Sequence, residues 1–201
     1  MKAFLRNKGI NPFQLSMRDY LNAVARFRTS PNGYFGAKIH FDQVASTLAS
    51  NKLALIGVLN SFDSLIFIQR RNKLKQAISL YRALSTQIWS SRDYEFMAND
   101  DPRLKVRVNF SAKKIASALY SIAAAEESWQ SLLDSQNIAY KRVYYEDLVC
   151  NSTSEWEDIF DYLKLSEMHL KTQTTLKQQS TGDDPFIKRF ISSIGLNVAP
   201  E

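Results

Sequence analysis

The chain has 201 residues, of which 45% are hydrophobic and 23% are charged, with six glycines and five prolines. These proportions are typical of an ordinary globular domain, and they exclude collagen-like, low-complexity and wholly disordered chains. A single cysteine, Cys150, excludes an intrachain disulfide and any multi-cysteine metal site. With only two histidines as well, we expect no metal cofactor.

Basic residues are concentrated in the first half of the chain. Residues 1–95 carry 14 Lys and Arg against 5 Asp and Glu, whereas residues 96–201 carry 12 against 15. This asymmetry predicts that the first half meets an anion, which could be nucleic acid, an acidic membrane surface or a phosphorylated cofactor. A solvated basic surface is the alternative interpretation. Neither a secretory signal nor an apolar run of about 18 residues is visible, so we expect a cytoplasmic protein without a transmembrane segment.

The first part of the chain is predicted to be mainly helical. Apolar residues at helical spacing predict a helix over 11–27, inside a helical lead-in that covers residues 1–30. A short strand is then predicted over 36–41, on which Lys38 and His40 would share one face. Two short helices complete this part. The side chains of Lys38 and His40 are candidate contacts for a substrate, although a solvated lysine and a satisfied histidine are simpler interpretations.

The remainder alternates strands and helices. Residues 64–69 form an apolar run between polar residues, which predicts a strand buried on both faces, as in a parallel sheet. Residues 91–110 lack periodicity and predict a long loop of the kind that is often functional. We therefore expect one domain of the α/β class with a mostly parallel sheet of three strands. The other predicted elements are helices over 74–88, 111–136 and 185–194, a helix around 159–163 and a strand over 139–145.

The segment after the 64–69 strand carries the clearest candidate site. Arg70 and Arg71 follow the carboxyl end of that strand, where open α/β sheets bind ligands. An arginine, a serine hydroxyl and a helix N-terminus together suit a phosphate group. Because the site is compact, it suits a nucleotide phosphate better than a duplex nucleic acid, although a solvated basic helix face fits the pattern equally well. The stripe of cationic and hydroxyl side chains on the following helix, at intervals of three and four residues, consists of Arg71, Lys75, Ser79, Arg82 and Thr86.

Two acidic pairs are further candidates. Glu126 and Glu127 are adjacent on a predicted helix, so their side chains diverge and cannot form an acid–base dyad. Glu146 and Asp147 follow the predicted 139–145 strand, where they could contact a substrate or cap a turn.

Residues 67–89, FIQRRNKLKQAISLYRALSTQIW, resemble the bacterial glycolipid and carbohydrate sulfotransferases, the family that includes trehalose 2-sulfotransferase and lipopolysaccharide sulfotransferases. Three further blocks agree in order, so the resemblance covers most of residues 17–192. These blocks are RTSPNGYFGAKIHFDQ, AAAEESW and VYYEDLVCN.

The resemblance implies a three-layer P-loop-type nucleotide-binding fold. It also implies transfer of a sulfuryl group from 3′-phosphoadenosine 5′-phosphosulfate to a hydroxyl of a carbohydrate or glycolipid. By the same resemblance, Arg70 and Ser79 would hold the 3′-phosphate of this donor, with Arg71 and Lys75 beside them. Arg82 would then be a candidate contact for the sugar acceptor.

The sequence also departs from the family pattern. No Ser/Gly-rich loop for the 5′-phosphosulfate precedes Arg28, so we expect the fold to be N-terminally incomplete. Lys177-Gln178-Gln179 stands where the family often has arginine. An incomplete sheet would leave an exposed apolar edge, which predicts a homodimer or a partner chain. Two alternatives stay open: a degenerate relative that binds adenosine 3′,5′-bisphosphate or a protein partner without catalysis, and a basic nucleic-acid-binding module, which lacks a recognised reading motif.

Overall fold

The computed structural model describes residues 6–11, 14–50, 52–90, 93–94, 96–150, 153–165 and 184–195, and it confirms a mixture of helices with a parallel sheet. The segment Lys177-Gln178-Gln179 lies outside the described residues. None of the described helices is long and apolar enough to cross a membrane. The helices are α1 (Met17–Arg28), α2 (Phe41–Ser50), α3 (Lys52–Leu59), α4 (Lys73–Thr86), α5 (Ala112–Ser135), α6 (Tyr145–Val149), α7 (Thr153–Tyr162) and α8 (Pro185–Ser193). The strands are β1 (Ile66–Gln69) and β2 (Lys141–Tyr144), and a 3-10 turn spans Pro102–Lys105.

Two compact units divide the chain. The first comprises Met1–Leu65 and Leu132–Ile138, and the second comprises Ile66–Ser131 and Ala139–Glu201. The helices α1 to α3 belong to the first unit, whereas the sheet, α4 and most of α5 belong to the second.

In the first unit, α1 confirms the predicted helix but begins later than residue 11. Ser16 caps the helix, since its hydroxyl accepts the backbone N–H of Asp19 at 3.1 Å. The side chain of Asp19 lies in the first turn, where a negative charge is favourable. At the other end, the hydroxyl of Thr29 donates to the carbonyl of Ala25 at 2.7 Å.

The predicted strand over 36–41 is wrong. Residues 36–40 lie in neither a helix nor a strand, and α2 begins at Phe41. The backbone N–H of His40 donates to the side-chain oxygen of Gln43, and the N–H of Gln43 donates to the carbonyl of His40, both at 3.1 Å. This reciprocal bonding caps the start of a helix, so a short alternating pattern was misleading. Lys38 and His40 are both exposed, and they do not share the face of a strand.

In the second unit, β1 and β2 pair in parallel, with Ile66 opposite Lys141 and Gln69 opposite Tyr144. The described residues therefore contain two strands rather than the three that we predicted. The burial of β1 also differs from the prediction, because Phe67 is buried whereas Ile68 is 53% exposed. Successive side chains of a strand point to opposite faces, so β1 buries one face only.

The core of the second unit lies between α4, α5 and α8. Ile78 and Ile115 are almost completely buried at its centre. The periodic stripe that predicted α4 is thus confirmed, except at Leu84, which is 52% exposed. Because one side of α4 is buried in this way, Ser79 on its other side faces solvent. The buried members of the core are Ala77, Ile78, Tyr81, Ile115, Ala118, Ile122 and Phe190.

Candidate functional site at the carboxyl ends of the strands

The parallel pairing of β1 and β2 brings their carboxyl ends side by side. Gln69 lies opposite Tyr144 at the last position of each strand. The residues that follow β1 are the predicted ligands Arg70 and Arg71, and α6 follows β2 directly at Tyr145. A basic segment and an acidic segment therefore meet at this edge of the sheet.

The carboxylate of Glu146 binds the start of α4. Its two oxygens accept the backbone N–H groups of Arg71 at 3.0 Å and Asn72 at 3.2 Å. Burial opposes the ionisation of Glu146, but these hydrogen bonds and the nearby charge of Arg70 hold its pKa below the ordinary value. The side chain of Asn72 accepts the N–H of Lys75 at 2.9 Å. The amides of Arg71 and Asn72 are therefore taken by a protein carboxylate and are not available to a ligand anion.

Arg71 is engaged by the fold itself. Its guanidinium donates through both terminal nitrogens to Asp147, with Nη2 at 2.7 Å from Oδ2. The same guanidinium stacks on the ring of Tyr144, with Cζ at 4.2 Å from the ring centroid. The hydrogen bonds from Arg71 hold the pKa of Asp147 below its ordinary value. Arg71 thus reaches the predicted site, but its charge is paired.

Arg70 differs from Arg71 in its interaction partners. Its guanidinium lies over the ring of Tyr145, with Cζ at 4.0 Å from the ring centroid, and the side chain is half-buried. Within the described ranges, no carboxylate forms an ion pair with Arg70. Its N–H groups are therefore available to an anion.

Lys75 and Ser79 follow on the face of α4 that is turned from the core. The charge of Lys75 helps to lower the pKa of Asp184, so these two side chains are near each other, but they form no ion pair in the described part of the chain. Ser79 is exposed. Whereas the hydroxyl of Thr86 donates to the carbonyl of Arg82, the hydroxyl of Ser79 has no hydrogen-bond partner among the described residues.

Arg82, the predicted acceptor contact, is held by Asp184. Its two terminal nitrogens lie 2.6 and 2.9 Å from the carboxylate oxygens, and its guanidinium lies over the ring of Phe186. The same carboxylate accepts the N–H of Phe186 at 2.9 Å and so caps α8. Arg82 therefore joins α4 to α8.

Sequence reasoning missed a third cluster at this edge. The ammonium of Lys73 binds both oxygens of Glu126, at 2.6 and 2.5 Å, and the amide of Gln69 donates to the same carboxylate at 3.3 Å. Glu126 thus connects α5 to the end of β1 and the start of α4. Only the position of Lys73, just beyond a strand end, could have indicated this role.

The cations of Arg70 and Lys75 and the hydroxyl of Ser79 form no ion pair or hydrogen bond with a side chain of another described residue. Cationic and hydroxyl groups of this kind bind phosphate in proteins. Arg70 follows the end of β1, whereas Lys75 and Ser79 lie on α4. Lys38 and His40 belong to the first unit, and their contact with a substrate stays a prediction. Among the described residues, no group of three His, Cys, Asp or Glu side chains is placed to hold a metal ion.

Comparison with known proteins gives a consistent result. The family described as Stf0 sulphotransferase matches residues 6–192. The chain is 26% identical over 184 residues to a trehalose 2-sulfotransferase of Mycolicibacterium smegmatis. The aligned region covers 86% of this chain and 65% of that protein. This chain is also 20% identical over 187 residues to a trehalose 2-sulfotransferase of Mycobacterium tuberculosis, and that alignment covers 88% of this chain and 66% of that protein. The chain therefore spans about two thirds of the length of these curated relatives.

Proposed function

This chain belongs to the Stf0 sulphotransferase family, and from that premise we propose that it takes part in sulfuryl transfer. The proposed donor is 3′-phosphoadenosine 5′-phosphosulfate, and the proposed acceptor is a hydroxyl of a sugar in a carbohydrate or glycolipid. The names of the two curated relatives, both trehalose 2-sulfotransferases, support a sugar as the acceptor.

The observation that carries this proposal concerns Arg70, which follows the end of β1, and Ser79 on α4. Both have hydrogen-bond donors that are not engaged by another described residue. Arg70 lacks a carboxylate partner, and Ser79 lacks a hydrogen-bond partner, within the described residues. A phosphate ester presents several acceptor oxygens, which the fork of an arginine and a hydroxyl can bind together. We assign the donor's 3′-phosphate to Arg70 and Ser79, with Lys75 adding positive charge. Arg71, paired with Asp147, would support the site from its edge.

The donor supplies an activated sulfate. In the transfer, the bond between sulfur and the bridging oxygen breaks, and its electron pair stays on the 5′-phosphate of the leaving adenosine 3′,5′-bisphosphate. A bond between sulfur and the sugar oxygen forms, and the hydroxyl proton passes to the solvent. The residues at the strand end act by fixing the nucleotide, so that the sulfuryl group keeps one position relative to the sugar. Such orientation supplies up to about 7–11 kcal/mol of barrier reduction in well-aligned reactions.

Calorimetric binding of adenosine 3′,5′-bisphosphate and adenosine 5′-monophosphate tests the assignment of the 3′-phosphate. We expect Arg70→Ala to weaken bisphosphate binding by about 1.5–3 kcal/mol, and Ser79→Ala by about 0.5–1.5 kcal/mol. Monophosphate binding should change little, because that nucleotide lacks the 3′-phosphate. Arg107→Ala is the matched control, since Arg107 is an exposed arginine in the 91–110 segment. Unchanged bisphosphate affinity in Arg70→Ala would contradict the assignment.

A transfer assay with radiolabelled donor and a panel of sugars and glycolipids tests the reaction itself. Slow labelling of a sugar product is the expected result, because the sequence shows no loop for the 5′-phosphosulfate and the donor would be held at one end only. Nucleotide binding without any labelled product would instead favour the alternative of a non-catalytic nucleotide-binding relative.

We also propose that the chain forms a homodimer. The exposed Ile68 on β1 supports this, because a parallel sheet is normally covered on both faces. The cytoplasmic location and the absence of nucleic-acid binding that we expect from the sequence stay predictions.

A further inference from the structure

Two consecutive arginines stack on two consecutive tyrosines across the strand ends. Arg70 lies over Tyr145 at 4.0 Å, and Arg71 lies over Tyr144 at 4.2 Å. A guanidinium is attracted to the face of an aromatic ring and stacks on it with its own plane. Stacking uses the face of the guanidinium, so the N–H groups at its edge stay free to donate.

The two arginines differ in what else holds them. Arg71 is fixed twice, by the ring of Tyr144 and by the carboxylate of Asp147. For Arg70, the ring of Tyr145 is the one partner in direct contact with the guanidinium among the described residues. The carboxylate of Glu146 is near enough to sense the charge of Arg70, but its two oxygens accept the amides of Arg71 and Asn72. The orientation of Arg70 therefore depends on Tyr145.

We propose that Tyr145 is a positioning residue, which holds the guanidinium of Arg70 with its N–H edge turned to the donor's 3′-phosphate. This inference rests on the proposed function. A long arginine side chain loses rotamer freedom when it binds an anion, and that loss weakens binding. The ring of Tyr145 restricts Arg70 before the ligand arrives, without using the N–H groups that the phosphate needs. The carboxylate of Asp147 restricts Arg71 as well, but it occupies two of those nitrogens.

The test is the ratio of the affinities for adenosine 3′,5′-bisphosphate and adenosine 5′-monophosphate, measured by calorimetry on the full chain. Tyr145→Leu should lower this ratio by about threefold to tenfold, the range of a cation–π contact. Tyr145→Phe should keep the ratio of the unmodified protein, since it retains the ring. Tyr162→Leu is the matched control. Tyr162 lies on α7, and the ammonium of Lys141 lies over its ring, so this variant removes a cation–π contact elsewhere in the same unit. A loss of stability alone would lower both affinities together and leave their ratio unchanged.

Arg70→Lys is the second variant, and it keeps the proposal testable if Tyr145→Leu does not fold. It retains the charge but loses the planar guanidinium that stacks on the ring, so the ratio should again fall. An unchanged ratio in Tyr145→Leu or in Arg70→Lys overturns the role of Tyr145, while the proposed function stands. Failure of the unmodified protein to prefer the bisphosphate overturns the proposed phosphate site, and the role of Tyr145 with it.

Discussion

Asp184 and Arg82 form a partly buried ion pair that joins the last described helix to the helix of the candidate site. The carboxylate of Asp184 is the buried member of the pair, since this residue is 6% exposed. It accepts two hydrogen bonds from Arg82 and one from the backbone of Phe186. One carboxylate therefore neutralises a charge on α4 and caps α8.

Replacement of Asp184 tests this double role. Asp184→Ala removes the helix cap and leaves Arg82 without its partner, so we expect a loss of about 2–4 kcal/mol in the free energy of unfolding. Urea denaturation measures this loss. Asp101→Ala is the control, because Asp101 also caps a short element and pairs with an arginine, but its side chain is 16% exposed whereas that of Asp184 is 4% exposed. The idea fails if both variants lose the same small amount.

Acid should destabilise the protein through the same residue. Burial raises the pKa of Asp184, but the hydrogen bonds from Arg82 and Phe186, with the charges of Arg82 and Lys75, bring it below the ordinary 3.8. The unfolded state then binds more protons than the folded state, so the stabilisation is complete above the unfolded pKa and is lost as the pH falls through the folded pKa. Urea midpoints should drop as the pH falls below about 4, and less steeply in Asp184→Asn. An equal slope in both proteins would show that other carboxyl groups dominate.

The core position Ile78 provides a test of how α4 is held. Ile78 is 1% exposed, so Ile78→Ala should leave a cavity and cost about 2–5 kcal/mol of unfolding free energy. Leu84→Ala on the same helix should cost far less, since Leu84 is 52% exposed. Chemical denaturation of the two variants in parallel gives the comparison. Similar losses would mean that Leu84 is covered in solution.

Ile68 provides the test of association. We expect light scattering to find a dimer, and we expect Ile68→Lys to shift the population toward the monomer, because burial of an unpaired charge is costly. Tyr120→Lys is a control at another exposed side chain, on α5. A monomer at all concentrations for the unmodified chain would contradict the proposal.

Local pattern was sufficient to predict the longer helices, but it did not predict the five-residue α6, and it wrongly predicted the short strand. The periodicity that predicted α4 spans several turns, so it is a strong signal, and Ile78 and Tyr81 are buried as expected. The six residues 36–41 offered alternation over too short a stretch, and capping by Gln43 determined the conformation instead. Similarly, the run 64–69 indicated a strand but could not tell that Ile68 would face solvent.

The candidate ligands were predicted from their place after a strand and from a family resemblance, but their partners were not. Arg71 pairs with a carboxylate 76 residues away, Arg82 with one 102 residues away, and Lys73 with one 53 residues away. Neither spacing nor composition specifies such pairs, because they depend on how the helices pack. The distinction between engaged and available cations is therefore a property of the tertiary structure.

The contact between Glu146 and the start of α4 uses only the main chain of residues 71 and 72. Any residue with a backbone N–H can make it, so proline alone is excluded on chemical grounds at these two positions. Replacement of either side chain would remove the pair of Arg71 with Asp147 or the cap that Asn72 supplies, but these two main-chain hydrogen bonds would persist. The attachment of Glu146 to the start of α4 is therefore insensitive to the identity of the two residues that it holds.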